Sequence, residues 1–158
     1  MVLFLKIETN GLISEAFKPD ILSVCVMNAS GKIVYASLFG GDVTPESSSI
    51  HEITQEEISG LEYYTANTRR LDEILMKNAG KIIVPSAEFY AKILGVGEET
   101  FIDLSKLSLD KFGKVKRFYK NKVIYDPAYN GCINMLEYCL DYDLLDLNEN
   151  EQFISISF

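Results

Sequence analysis

The chain has 158 residues, 47% of them apolar and 24% charged, a balance that suits one domain with a real core and a solvated surface. Its net charge of −8 argues against nonspecific nucleic-acid binding by the whole surface. No apolar run approaches membrane-spanning length, and Lys6 and Glu8 interrupt the first apolar stretch too early for a signal peptide, which favours the cytoplasm.

Val2 to Glu8 reads as a buried strand that ends in a carboxylate and turns at Asn10-Gly11. Leu22 to Asn28, rich in Val, Ile and Leu, is a second strand. Ser30-Gly31 makes a turn, and Lys32 to Phe39 returns as a third. Such short connections predict an antiparallel meander, ended by Gly40-Gly41-Asp42. A loop through Pro45 and Ser47-Ser48-Ser49 then leads to Thr54-Gln55-Glu56-Glu57, a capping box that should open a short helix.

Arg69 to Asn78 has Leu71, Ile74 and Leu75 on one face and Gly80 as its stop, the pattern of an amphipathic helix. Lys81 to Val84 is a short buried strand. Ser86 starts a helix with Phe89, Ile93 and Leu94 on its apolar side and Gly95 at its end, and Phe101 to Leu104 adds a last core strand. Asp126-Pro127 supplies an N-cap and a first-turn proline for a helix striped by Ala128, Cys132, Met135, Leu136, Cys139 and Leu140. The order predicts an α/β fold with a mixed sheet, antiparallel first and then parallel, flanked by helices, and one domain over residues 1–158.

Cys25, Cys132 and Cys139 lack metal-type spacing and read as buried free thiols. Charge is unevenly spread. Lys111, Lys114, Lys116, Arg117, Lys120 and Lys122 form a basic segment, interleaved with Phe112, Phe118 and Tyr119. Positive charge with stacking rings is what single-strand nucleic-acid binding uses, although a solvated basic face over core aromatics gives the same pattern. The tail over residues 150–158 alternates apolar and polar residues from Gln152 to Phe158. It suits a strand docked at a sheet edge, and it loosely resembles the Gln-and-aromatic tails by which replication proteins bind sliding clamps.

Four short stretches carry a resemblance to a known family. Leu3-Phe4-Leu5-Lys6-Ile7-Glu8 resembles the opening motif of the DEDD-type, DnaQ-like 3′-5′ exonucleases, which have the ribonuclease H-like fold. Ile50-His51-Glu52-Ile53-Thr54 is similar to that family's Ile-His-Gly-Ile-Thr loop, with Glu52 in place of Gly. His51 there reads as a residue that shapes the loop before the helix, the alternative being a lone catalytic base. Ser86-Ala87-Glu88-Phe89-Tyr90 matches the Asn-Ala-x-Phe-Asp motif at Ala87 and Phe89. Asp126-Pro127-Ala128-Tyr129-Asn130-Gly131 matches the His-x-Ala-x-x-Asp motif at Ala128.

The resemblance implies five catalytic positions, and the departures fall on them. Lys6 stands where the first metal-binding Asp would be, Tyr90 and Gly131 where two more would be, and Asp126 where the general-base His would be. Only Glu8 keeps the family's residue. The family's reaction needs two divalent ions about 3.5–4 Å apart, held by carboxylates. An ammonium offers no lone pair, and at about 4 Å it repels a unit positive charge by roughly 4 kcal/mol at an effective dielectric of about 20.

The resemblance therefore implies a catalytically inactive exonuclease-like domain with no metal cofactor, acting as a binding module. Its expected partner is a replication or repair protein or a single-stranded nucleic acid, with no membrane. In this reading Lys6 pairs with Glu8 or Asp126. The alternative is an active 3′-5′ exonuclease holding Mg²⁺ or Mn²⁺ in a site rebuilt from Glu8, Glu88, Asp103 and Asp126. Glu88, two residues from Tyr90 on one helix, points away from such a site. Asp103 at a strand end equally caps the next turn, and Asp126 before Pro127 caps its own helix.

Overall fold

The computed structural model describes residues 2–14, 16–106, 127–142, 144–146 and 152–153. Asp126 and the basic segment from Lys111 to Lys122, with Phe118 and Tyr119, lie outside them. So does most of the tail.

The meander is as the sequence predicts. Leu3–Thr9 (β1), Ile21–Asn28 (β2) and Ile33–Leu38 (β3) are antiparallel neighbours, with Lys6 opposite Cys25 and Glu8 opposite Ser23. Ile82–Val84 (β4) joins the other side of β1 in parallel, and Phe101–Asp103 (β5) joins β4 in parallel. The sheet order is β3-β2-β1-β4-β5. β1 and β2 are buried on both faces, which is why they read as near-continuous apolar runs rather than alternating ones.

Two helical layers bury the two faces of β1. On one, Leu3, Leu5 and Ile7 pack with residues of Arg69–Lys77 (α3) and Ala87–Leu94 (α4). On the other, Phe4 packs with Ala128, Cys132 and Met135 of Pro127–Asp141, the next helix described, here α5. The expected stripe of α5 is buried except at Leu140, which the helix turns to solvent. The centre of α4 also differs from expectation. Ala87, Tyr90, Ala91 and Ile93 are its buried residues, while Phe89 and Leu94 sit half-buried at its margin.

The stretch read as a serine loop is instead a helix, Pro45–His51 (α1). Thr44 accepts from the Ser47 amide at 3.1 Å, and the Ser47 hydroxyl accepts from the Thr44 amide at 3.2 Å. With Pro45 in the first turn, this is a complete N-terminal signal that the serine run disguised. Conversely, the box expected at Thr54 is half made. Thr54 accepts from the Glu57 amide at 3.2 Å, but the Glu57 carboxylate meets the Thr54 hydroxyl rather than its amide. The helix that follows, Gln55–Ile58 (α2), has a single turn.

Gln152–Phe153 forms a strand, as the tail's alternation suggests. It pairs with Leu145–Asp146 after α5 in a separate two-stranded sheet, not at the edge of the main one.

Candidate functional site

Strand alternation decides which residues of β1 face α5. Lys6 and Glu8 share the face of Phe4, so both point toward the helix that carries Gly131. A Cβ built on Gly131 would lie 2.5 Å from Lys6 Cγ and 2.8 Å from Cδ and Cε. Only a glycine leaves room there for the lysine stem. The stem's far end folds back along the strand, where Lys6 Nζ donates to Glu8 Oε1 at 2.7 Å and to the Ile7 carbonyl at 3.3 Å. Both side chains are nearly withdrawn from water, Lys6 being 7% and Glu8 8% exposed.

Tyr90 reaches the same strand from the opposite helix. The Leu3 amide donates to the Lys81 carbonyl at the start of β4, so the odd-numbered amides of β1 face β4. β4 pairs with β1 only at Leu3 and Phe4 and leaves the Ile7 amide without a strand partner. The Tyr90 hydroxyl accepts that amide at 3.0 Å. The tyrosine ring is buried and meets Phe101 edge-on, with centroids 6.2 Å apart.

Four of the five positions singled out in the sequence, Lys6, Glu8, Tyr90 and Gly131, are thus gathered at the carboxyl end of β1. This is where open α/β sheets place their sites. Beside them runs a cleft of about 590 Å³, lined among others by Glu8, Leu12, Thr44, Ser47, Phe89 and Tyr90. Asn10 closes the strand end. Its amide nitrogen donates to Asp20 Oδ2 at 3.0 Å and to the Asp42 carbonyl at 2.8 Å, while its oxygen accepts from the Asp20 amide at 2.8 Å. The sequence marked Asn10 only as a turn residue. Its clamp role depends on Asp20 and Asp42, which no local pattern links to it.

The alternative carboxylates are held elsewhere. Asp103 accepts from the Ala87 amide at 2.9 Å, from the Ser105 hydroxyl at 2.6 Å and from the Lys106 amide at 3.1 Å, capping both α4 and the turn after β5. Glu88 lies exposed and pairs with Lys92 one turn on, at 3.0 Å. Among the described residues, no three His, Cys, Asp or Glu side chains are grouped to hold a metal ion. A pair of divalent ions does not fit the residues present. Mg²⁺ takes hard oxygen ligands in near-octahedral geometry. Of the ligand positions that the resemblance implies, one holds an ammonium, one a hydroxyl already on a backbone amide, and one no side chain.

The expectation for the cysteines holds for all three, which are free and buried. Cys132 donates to the Cys25 carbonyl at 3.3 Å, and burial holds its thiol well above the ordinary range. Burial likewise pushes the Cys139 thiol up to about 12. Such thiols stay protonated and unreactive at neutral pH.

A meander followed by parallel strands, with a helix on each face of the first strand, is the ribonuclease H-like exonuclease fold. Solved structures agree. The chain is similar to exonuclease X in complex with 5′-overhanging duplex DNA, at 16% identity and a TM-score of 0.58, over 90% of this chain and 93% of that one. It is similar to the nuclease domain of 3′hExo, a DEDDh family member bound to rAMP, at 12% identity and a TM-score of 0.61, over 96% and 94%. It is also similar to the E. coli ExoI complex with single-stranded DNA, at 12% identity and a TM-score of 0.57, over 92% of this chain and 45% of that one. No protein-family model and no curated protein sequence matches the chain. Identities this low speak for the fold alone.

Proposed function

We propose that this chain is an exonuclease-like domain that has lost metal-dependent cleavage and works by binding. The observation that carries the reading is the Lys6–Glu8 ion pair at 2.7 Å, seated in the space that Gly131 leaves open. Where the fold's catalytic members need carboxylates around two cations, this chain has a covalently attached cation and one carboxylate. The pair neutralises itself and offers no vacant ligand set, so no metal cofactor is required.

The supporting argument extends to the surroundings. Asp103 and Glu88, the carboxylates that could rebuild a site, are taken by a helix cap and by a surface pair. The retained Glu8 favours the second reading, an active exonuclease with an atypical carboxylate site, but its nearest partner is a lysine. The proposed partner is a single-stranded nucleic acid or a replication or repair protein, in the cytoplasm. That exonuclease X and ExoI were solved with DNA supports the first of these. No helix among the described residues is long and apolar enough to cross a membrane.

The test is incubation of the purified chain with end-labelled single-stranded DNA and RNA, in Mg²⁺ and in Mn²⁺, beside Glu8→Ala. No cleavage is expected in either metal. Cleavage that disappears in Glu8→Ala would overturn the proposal in favour of a rebuilt site. Binding is measured separately by fluorescence anisotropy across a salt series. If the basic segment from Lys111 to Lys122 carries it, affinity falls steeply with salt, and removal of each charge flattens the slope.

A further inference from the structure

A cavity of about 310 Å³ lies on the α3 and α4 side of the sheet. It is apart from the cleft at Glu8, and the two share no lining residue among those described. Four pieces of chain meet around it. They are the turn that leads into β2, the single helical turn Tyr64–Ala66, the start of α3 and the end of α4. One wall is apolar, with Pro19, Ile21 and Ile93 buried and Leu94 half-buried.

Polar groups meet at this wall without satisfying one another. Tyr64 is 9% exposed, yet its hydroxyl makes no hydrogen bond among the described residues. Burial, and after it the Asp72 carboxylate, pushes that hydroxyl up to about 12, so it remains a donor at neutral pH. Thr68 precedes the first turn of α3 and makes no side-chain cap, which leaves the first amides of the helix without a side-chain acceptor. Lys18 and Asp72 stand exposed at the rim, and among the described residues neither belongs to an ion pair. Asp20 is committed elsewhere, since it accepts from Asn10 at 3.0 Å.

Charge balance selects the ligand. A simple anion at Lys18 would also face Asp72, and a simple amine at Asp72 would also face Lys18. A zwitterion answers both. In an α-amino acid the two charges sit on neighbouring groups, and Thr68 and Asp72 are one helical turn apart on α3. We infer that this cavity binds a free α-amino acid with an apolar side chain. Its carboxylate is held by Lys18, Thr68 and the uncapped start of α3, and its ammonium by Asp72. The side chain lies against Ile21, Ile93 and Leu94, and the Tyr64 hydroxyl gains the acceptor that the protein does not supply. Water screens charges at a rim, so the dissociation constant is on the order of 0.1–1 mM.

The experiment is titration of L-leucine into the full chain, followed by calorimetry and by backbone amide NMR. Leucine should bind, with shifts at Lys18, Tyr64, Thr68 and Leu94 and none at Glu8. L-Leucinamide lacks the carboxylate, isocaproate lacks the amine and glycine lacks the side chain, so each should bind tenfold or more weakly. Lys18→Gln and Asp72→Asn, both at exposed positions, should each weaken leucine tenfold or more, with circular dichroism unchanged. A chain that takes up none of L-leucine, L-methionine and L-phenylalanine at tens of millimolar overturns the inference. So does leucine binding that is indifferent to the Lys18 and Asp72 substitutions, and so does adenosine monophosphate bound at the same residues as tightly as leucine.

Discussion

Two of the helices that flank β1, α4 and α5, differ in opposite ways at the positions where the resembled motifs carry a carboxylate. On α4, a large side chain fills the position. Tyr90 buries a ring in the core, and its hydroxyl accepts from the Ile7 amide. On α5, the position is emptied. Gly131 has no side chain, and the stem of Lys6 lies where one would be. One side adds volume to satisfy a backbone donor, and the other removes volume to admit a cation. Both outcomes keep the interior filled, and the Lys6 ammonium and the Ile7 amide each have a partner. In a close-packed interior, side chains fitted in this way are expected to act as a set.

If that is so, breaking the set at its charged centre should have the largest effect. Lys6→Met leaves the Glu8 carboxylate buried without its cation, a change that costs about 3–5 kcal/mol at comparable sites. The double variant Lys6→Met/Glu8→Leu should recover most of it, because removal of both charges is often nearly neutral. Urea denaturation of the two variants checks this. A Lys6→Met protein as stable as the parent would mean that the pair is solvated in solution and that the two sides of β1 are independent.

The α5 side is sharpened by a change whose sign is the test. Gly to Ala inside a helix normally stabilises by about 0.5–1 kcal/mol. At Gly131 the new methyl meets Lys6 Cγ, so Gly131→Ala should instead destabilise by about 1–3 kcal/mol. In a Lys6→Ala background the same change should be stabilising. Thermal unfolding of the four proteins in this cycle measures the coupling. The α4 side should respond less. Tyr90→Phe keeps the ring and orphans the Ile7 amide, at a cost of about 1–2 kcal/mol. Faster hydrogen exchange at Ile7 would assign that loss to the missing hydroxyl.

Much of this was legible in the sequence. Local patterns, such as the apolar runs of β1 and β2 and the 3.6-residue stripe of α3, place the elements because each is decided by neighbours in the chain. The departures from the exonuclease motifs also identify Lys6, Tyr90 and Gly131 one at a time. What could not be read is that Gly131 and Lys6 fit each other, since 125 residues separate them and the fit lies in three atoms of a side chain. The α1 helix is hard to read in the sequence for a different reason. Serines are poor formers of helix interiors, and their run outweighed the Thr44-Pro45-Glu46-Ser47 start signal that the structure uses.

A last substitution lies outside the site and tells adjustment from tolerance. Glu52 stands where the resembled loop has glycine, and its backbone holds φ 60 and ψ 11 at the end of α1. That is the left-handed conformation, which costs an ordinary L-residue about 1–2 kcal/mol and glycine little. Glycine also loses more conformational freedom on folding, which offsets part of the gain. Glu52→Gly should therefore stabilise the chain by about 0.5–1 kcal/mol, seen as a small rise in the urea midpoint at unchanged slope. At Lys6, Tyr90 and Gly131 the same kind of reversion, toward the residue of the resembled motif, should instead destabilise. A rise at Glu52 with falls at the other three would place the adjustment at the old metal site and not across the scaffold at large.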